Sequence, residues 1–427
     1  MTPLMFALLA AVGIGAVGVL WFLFSRWPVA GLVFWLFTVC AMPVWWVLPV
    51  GLDLRPATVG GLILLVTYLG GFPREFGPAD LGVALIFFAG LFPIVFGGAS
   101  VSTVYGLASQ WILGYLLGRL VIGQVGEETT YRVLAIAFSI VGGLSIAEFL
   151  LDFHPWSLLG PRNGIYAIWG PIQYRGGLAR SEGAFGHSIA LGSSLALAVP
   201  FIFAARFRGW VRYGLAVVVL GGVLVTFSRG ALLSAGLSCL LVAVFGGRDF
   251  SRDSRRTAVM VVLSGALVSI PALSTVLAAA GDEAGTSADY RGRLLDLISA
   301  MAPLGVSSQQ RTNFSGERYI GTFQSIDSQL ILTGLSYGWI VLLLGLAILV
   351  AGALVIIAGR ATPGVVAIVG QAPALASVAL ITQYNILFWF IAGVGAAGLA
   401  AHRLRDQDIM EPTPDWVAEL TAGRRFY

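Results

Sequence analysis

The sequence predicts an all-α, polytopic membrane protein, from three observations. Only 11% of the 427 residues are charged, 58% are apolar, and charge-free runs of about twenty residues recur along the whole chain. Mean hydropathy is +0.89. A soluble fold of this size would expose far more charge than the chain possesses.

Apolar runs place helices near 3–24, 28–50, 57–72, 82–98, 103–122, 131–150, 185–205, 211–227, 231–246, 257–279, 328–357, 364–382 and 385–401, so twelve to fourteen spans are expected. The run at 57–72 is short enough to be tilted or re-entrant. Nothing basic precedes Arg26, which argues for an uncleaved N-terminus on the outer side. Arg206, Arg208 and Arg212, the four arginines from Arg248 to Arg256, and Arg403 with Arg405 then mark the cytoplasmic side. Arg119 reads as a further cytoplasmic anchor. Residues 1–405 form one transmembrane domain and 406–427 a cytoplasmic tail. The DQD at Asp406 to Asp408 reads as part of that solvated tail.

Two outer connections are long, 152–184 and 281–327, and long loops carry chemistry more often than short ones do. The first, rich in Trp, Tyr, Gly and Pro, reads as folded against the membrane. Its aromatic residues Trp156, Tyr166, Trp169 and Tyr174, with Tyr319 of the second loop, are sugar platforms or interfacial anchors. In the second loop LLDLISAM has the spacing of a short amphipathic helix.

Composition excludes several chemistries. All 25 cations are Arg, so no lysine Schiff base or amine base is available. Three His and two Cys speak against a zinc cluster, a redox pair or a disulfide scaffold. The basic balance, net +4, is explained by topology and not by nucleic acid. Eight arginines in outer connections, with Arg229 at a helix end, oppose the positive-inside bias, and arginine matches phosphate geometry with paired donors. A pyrophosphate is a natural ligand for such a set.

The candidate residues follow from these placements. In RSEGAFGHSIALG, Arg180, Glu182 and His187 lead into a helix whose amino end faces outward, where free amides favour an anion. His187 is a phosphate donor or a structural hydrogen-bonding group. Arg229, in TFSRGALLSA, lies at an outer turn and faces the interior or snorkels to headgroups. Asp327, in SIDSQLILTGLSYG, is a general base or a helix cap. Arg291, Arg293, Arg311 and Arg318 suit a lid over a polar pocket. No outer acidic cluster has metal-ligand spacing, so neither metal nor other cofactor is expected.

In order, spacing and topology, RSEGAFGHSIALG, TFSRGALLSA, YRGRLLDLISAMAPLG and IDSQLILTGLSYG, which together cover roughly 175 to 345, make the chain resemble the superfamily of O-antigen ligases and O-antigen polymerases. The resemblance implies a GT-C-like helical fold in the bacterial cytoplasmic membrane and an active site facing outward. It implies metal-independent, inverting transfer of a glycan from a polyprenyl-diphosphate donor to an acceptor hydroxyl. Carried over by position, Arg180, Arg229 and Arg293 contact the diphosphate, with Arg291 as a second contact and Glu182, His187 and Arg318 in the surrounding binding set. Ligases carry a His where this chain has Asp327, which looks more like the polymerases. The implied partners are the lipid-linked oligosaccharide, a glycan or other hydroxyl acceptor, membrane lipid, and a chain-length regulator as a candidate. Two alternatives stand beside it: a flippase for the same lipid-linked sugar, and a ligase that transfers glycan to protein or cell wall.

Overall fold

A computed structural model describes residues 3–49, 53–71, 76–96, 98–99, 101–279, 292–312, 318–321, 323 and 325–410. The chain is mostly helical, with three two-stranded hairpins confined to connections. Among the described residues four helices are long and apolar enough to cross a membrane, Pro78–Phe96, Glu127–Leu151, Trp339–Ile357 and Thr382–Gln407, and seven shorter apolar helices accompany them.

In chain order the helices are α1 (Pro3–Arg26), α2 (Pro28–Cys40), α3 (Pro56–Tyr68), α4 (Pro78–Leu91), α5 (Val101–Gly106), α6 (Leu113–Val125), α7 (Glu127–Leu151), α8 (Gly164–Trp169), α9 (Ser188–Ala204), α10 (Gly209–Leu224), α11 (Arg229–Val244) and α12 (Arg252–Ala279). They continue as α13 (Gln329–Tyr337), α14 (Trp339–Ile357), α15 (Pro363–Gly370), α16 (Ala372–Ser377) and α17 (Thr382–Met410). Each expected span is helical over most of its length. Three differ from the apolar pattern. The run at 28–50 ends as helix at Cys40, and Leu48–Pro49 pairs as a strand with Asp53–Leu54. The run at 328–357 breaks at Gly338, whose φ of +99° takes the chain past Pro303 at a distance a side chain would fill. The run at 364–382 breaks between α15 and α16 and again over 378–381. Hydropathy reports depth, not hydrogen bonding, so it runs through such breaks.

Around its whole circumference α9 is buried, as a helix apolar on every face must be. It packs against α7, α10, α11, α15 and α17 and forms the axis of the bundle. The closest pairing is α6 with α17. A Cβ added at Gly118 would collide with the Phe390 carbonyl, and one at Gly393 with the Tyr115 carbonyl, so the two backbones meet directly. Small residues at a helix crossing are how apolar helices gain contact where no hydrophobic force drives them together.

Charged partners gather at one end of the bundle. Arg132 and Arg206 meet Glu128, Arg405 meets Glu127, Arg248 meets Asp406, and His402 Nε2 lies 3.0 Å from Asp249. Two expectations change here. Asp406 is helical and ion-paired, because α17 runs on to Met410 instead of dissolving into a tail after Arg405. Residues 411–427 lie outside the described set. Arg119 is no headgroup anchor: it is buried, its Nε donating to Asp80 Oδ1 at 2.8 Å and Nη2 to Oδ2 at 3.1 Å, while Tyr115 donates to Oδ1 at 2.7 Å. The Gly77 amide completes the carboxylate at 2.7 Å. A buried guanidinium requires such a partner, and Asp80 is 39 residues away in sequence.

Removing one member leaves the other charge buried and alone, at a cost of about 3–5 kcal/mol. Asp80→Ala and Arg119→Leu should each lower the thermal midpoint of the purified protein sharply, and the double variant should recover part of the loss; equal midpoints for wild type and single variants would remove the pair from the fold's foundations.

Candidate functional site

At the opposite end, four stretches of chain close into a ring through hydrogen bonds and one packing contact. Arg180 Nε donates to the Thr226 carbonyl at 2.8 Å, and the Ser181 amide to the Val225 carbonyl at 3.3 Å, joining the long connection to the α10–α11 turn. Gly230, next to Arg229 at the start of α11, packs against Ala374, Ser377 and Val378. The Gln329 amide donates to the Val378 carbonyl at 3.0 Å, and Gln329 Oε1 accepts from the Leu380 amide at 2.7 Å. Gln383 Nε2 then returns to the Ala184 carbonyl at 3.2 Å and to Met42 at 3.1 Å. Residues 180–187, 225–230, 327–329 and 378–385 thus form one connected ring of contacts. Arg180, Glu182, His187, Arg229 and Asp327 all lie on it.

The connection that carries Arg180 is built, as expected, into a folded unit. Asn163 caps α8, Tyr174–Arg175 pairs with Leu178–Ala179 as a hairpin, and Trp45 donates to the Leu159 carbonyl at 2.8 Å. Trp156 donates to Ala41 at 3.1 Å and Tyr166 to Ser157 at 3.0 Å, while Arg162 stands 4.0 Å over the Tyr166 ring. Trp156 thereby holds the loop to the α2–α3 connection, where Tyr166 also lies edge-on to Trp45 with centroids 5.3 Å apart. Trp169 lies edge-on to His187, with centroids 5.7 Å apart.

Glu148, at the end of α7, anchors the turn beside Arg180. Its carboxylate accepts from His154 Nδ1 at 2.7 Å, the Gly183 amide at 3.0 Å and the Glu182 amide at 3.4 Å. Glu182 itself accepts from the Gln173 amide at 2.8 Å. Nothing in the apolar run around Glu148 marks it as part of the site beyond the rarity of a carboxylate there.

Electrostatics at the ring follow burial. The Arg180 guanidinium is 5% exposed, and desolvation, with Arg175 adding its like charge, lowers its pKa to about 10. It therefore stays charged. Its Nη1 reaches Gln173 Oε1 at 3.2 Å, whereas Nη2 is buried with no hydrogen-bond partner. Arg229 Nε is in the same condition. Neither Arg180 nor Arg229 forms an ion pair with a described carboxylate. Burial, with Arg180 nearby, pushes the His187 imidazole down to about 4, so it is neutral; Nδ1 accepts the Ile189 amide at 3.2 Å, which leaves the proton on Nε2. His187 is the cap of α9. Burial raises the Glu182 carboxyl to about 7, against the lowering effect of the Gln173 amide.

Asp327 is exposed and accepts from Ser325 at 3.3 Å. The cap of α13 is Ser328, which accepts the Ile331 amide, so Asp327 is free of that role. Arg293 is exposed, but its neighbours Leu294 and Leu297 pack with Ile326, Ile331 and Leu335, which seats this part of the large loop beside Asp327. LLDLISAM begins in an α-helical stretch, described over 292–296, and passes into a 3₁₀ turn over Leu297–Ala300. Arg291 lies outside the described residues, and of Arg318 the backbone alone, in the strand Arg318–Ile320, is described. Among the described residues no group of three or more His, Cys, Asp or Glu could hold a metal ion. Gln329 and Leu380 also line an apolar cavity of about 90 Å³ with Trp111, Thr333, Phe388 and Trp389.

Sequence reading missed Gln329, Thr382 and Gln383. The two glutamines sit in apolar surroundings and could have been noticed as polar side chains at helix starts. Thr382 could not, since its signal is a φ of +50°.

A carboxyl whose folded pKa lies above its unfolded value favours folding fully below the unfolded value, and that contribution is lost as pH rises through the folded one. For Glu182 the window runs from about 4.5 to about 7. Stability in detergent should fall across this interval, and Glu182→Gln should flatten the slope and raise the midpoint at pH 8; an unchanged pH dependence would show that Glu182 titrates normally.

The chain matches no family model, no curated protein and no solved structure.

Proposed function

We propose that the protein is a metal-independent, inverting glycosyltransferase that moves a glycan from a polyprenyl-diphosphate donor to an acceptor hydroxyl on the outer face of a bacterial cytoplasmic membrane, as a polysaccharide polymerase or an O-antigen ligase-like enzyme. One observation carries the reading. Arg180 Nη2 and Arg229 Nε are buried without a hydrogen-bond partner on linked stretches of chain, at the end of the bundle away from the ion-paired arginines. Neutral oxygens solvate the Arg180 charge and no described carboxylate pairs directly with either arginine, so both keep donors for an anion. A diphosphate would accept from them.

The chemistry needs little more than this. Diphosphate is a good leaving group, so the protein must place the acceptor oxygen, remove its proton and stabilise charge as the sugar–phosphate bond breaks. Arg180 and Arg229 meet that charge through geometry set by the Thr226 carbonyl and the α11 amino end. In this scheme Arg293, beside the docked Leu294 and Leu297 of the large loop, adds a third guanidinium from the solvent side. Asp327 accepts the proton in this scheme: it is exposed, has no capping duty, and sits two residues from Gln329 on the ring. The apolar cavity beyond Gln329 gives the first part of the carrier's chain a place beside the diphosphate.

Purified protein in lipid, given a polyprenyl-diphosphate oligosaccharide with and without a separate acceptor, should release prenyl diphosphate with formation of longer glycans or glycosylated acceptor. Arg180→Gln and Arg229→Gln should each lower the rate by about a hundredfold or more, and Asp327→Asn should lower turnover more than donor binding. Movement of intact donor across the bilayer with no bond broken would identify a flippase, and normal turnover in both arginine variants would remove the diphosphate site.

A further inference from the structure

The ring carries a second pair of unmatched polar groups besides those of the arginines. Thr382 and Gln383 open α17, and they are 5% and 4% exposed. Gln383 Nε2 donates to two carbonyls, Met42 at 3.1 Å and Ala184 at 3.2 Å. Carbonyls accept only, so both bonds require the amide nitrogen on that side, and the amide orientation is fixed. Oε1 therefore points the other way, where it is buried with no hydrogen-bond partner. Thr382 Oγ1 is buried and unpartnered as well. An amide oxygen, which only accepts, and a hydroxyl, which accepts or donates, thus stand unmatched on consecutive residues, on the segment that hydrogen bonds to the Arg180 turn through Ala184.

The backbone is held in an unfavourable conformation to present them. A β-branched residue at φ +50° is a true outlier and stores local strain. Phe227, at φ +47°, carries the same strain between Thr226 and the Ser228 cap that precedes Arg229. Of the three described non-glycine residues with positive φ, these two lie on the ring.

We infer that Thr382 and Gln383 form a hydroxyl-recognising subsite, in which sugar O–H groups donate to Thr382 Oγ1 and Gln383 Oε1 while the attached phosphate faces Arg180 and Arg229. The inference rests on the glycosyl-diphosphate reading above and adds the residues that recognise the sugar. The division of labour follows from chemistry: guanidinium groups donate only and suit phosphate oxygens, whereas an amide oxygen and a hydroxyl oxygen suit O–H donors. Leaving buried acceptors unmatched penalises a ligand that lacks the hydroxyls, which is how such a site discriminates.

The test compares two soluble probes, farnesyl diphosphate and farnesyl-diphospho-N-acetylglucosamine, by calorimetric titration of the full-length protein in nanodiscs. Wild type should bind the glycosylated probe more tightly. Thr382→Val keeps the branched shape and the backbone strain but lacks the acceptor oxygen; it should weaken the glycosylated probe by about tenfold and leave farnesyl diphosphate unchanged. Thr382→Ser should restore the difference. Gln383→Leu should act in the same direction, and its thermal midpoint shows whether the Met42 and Ala184 contacts are missed by the fold. Equal weakening of both probes, or an unchanged affinity for the glycosylated probe in Thr382→Val, would overturn the subsite. Wild-type protein that binds neither probe, with Arg180→Gln indistinguishable from it, would sink the diphosphate reading and the subsite together.

Discussion

The bond from Arg180 Nε–H to the Thr226 carbonyl is the contact on which the loop end of the molecule depends. A guanidinium 5% exposed in a membrane protein cannot be left to solvent, and it cannot be neutralised at any ordinary pH even with its pKa lowered to about 10. It is held instead by neutral oxygens, the Thr226 carbonyl and Gln173 Oε1, which solvate the charge without cancelling it. That choice has two consequences. It ties the 152–187 connection to the α10–α11 turn, and it keeps a full positive charge available to something else.

The two ends of the bundle resolve the same problem in opposite ways. At one, carboxylates from α4, α7 and α17 and from the α11–α12 connection meet arginine or histidine from neighbouring elements, so the helix ends are stapled and the charges compensated. At the other, Arg180 and Arg229 lack a described carboxylate partner, and the nearest buried acids serve the backbone: Glu148 holds the Gly183 and Glu182 amides, and Glu182 holds Gln173. Carboxyl groups whose oxygens are taken up by backbone amides support the turn without forming an ion pair with the arginine. Burial raises the Glu182 carboxyl to about 7.

Rigidity comes from the helices beneath. The start of α17 carries Thr382 and Gln383, and the same helix meets α6 backbone to backbone at Gly118 and Gly393. α9, buried on all sides, begins at His187 one turn beyond the Arg180 segment. Side chains on elements fixed this closely can be held in strained or desolvated states that a mobile loop would relax.

A mostly helical fold rich in apolar helices and the candidate arginines were legible in the residues alone, because burial in lipid imposes long charge-free runs and leaves each Arg visible against them; the expected twelve to fourteen spans stand against four described helices of spanning length and seven shorter ones. Helix breaks at Gly338, Gln371 and 378–381 were not, since hydropathy is blind to where backbone hydrogen bonds stop. The partner of Arg119, the extension of α17 through Asp406 and the cap at Ser328 needed the tertiary structure, because each depends on a contact or a dihedral and not on a residue type. The site itself divides in the same way. Arg180, Glu182, His187, Arg229 and Asp327 stand out by charge in an apolar chain, whereas Gln329, Thr382 and Gln383 enter only because segments separated by up to two hundred residues close one ring. Composition determines which groups a membrane must accommodate; packing alone decides which of them face one another and which are left with an unmatched bond.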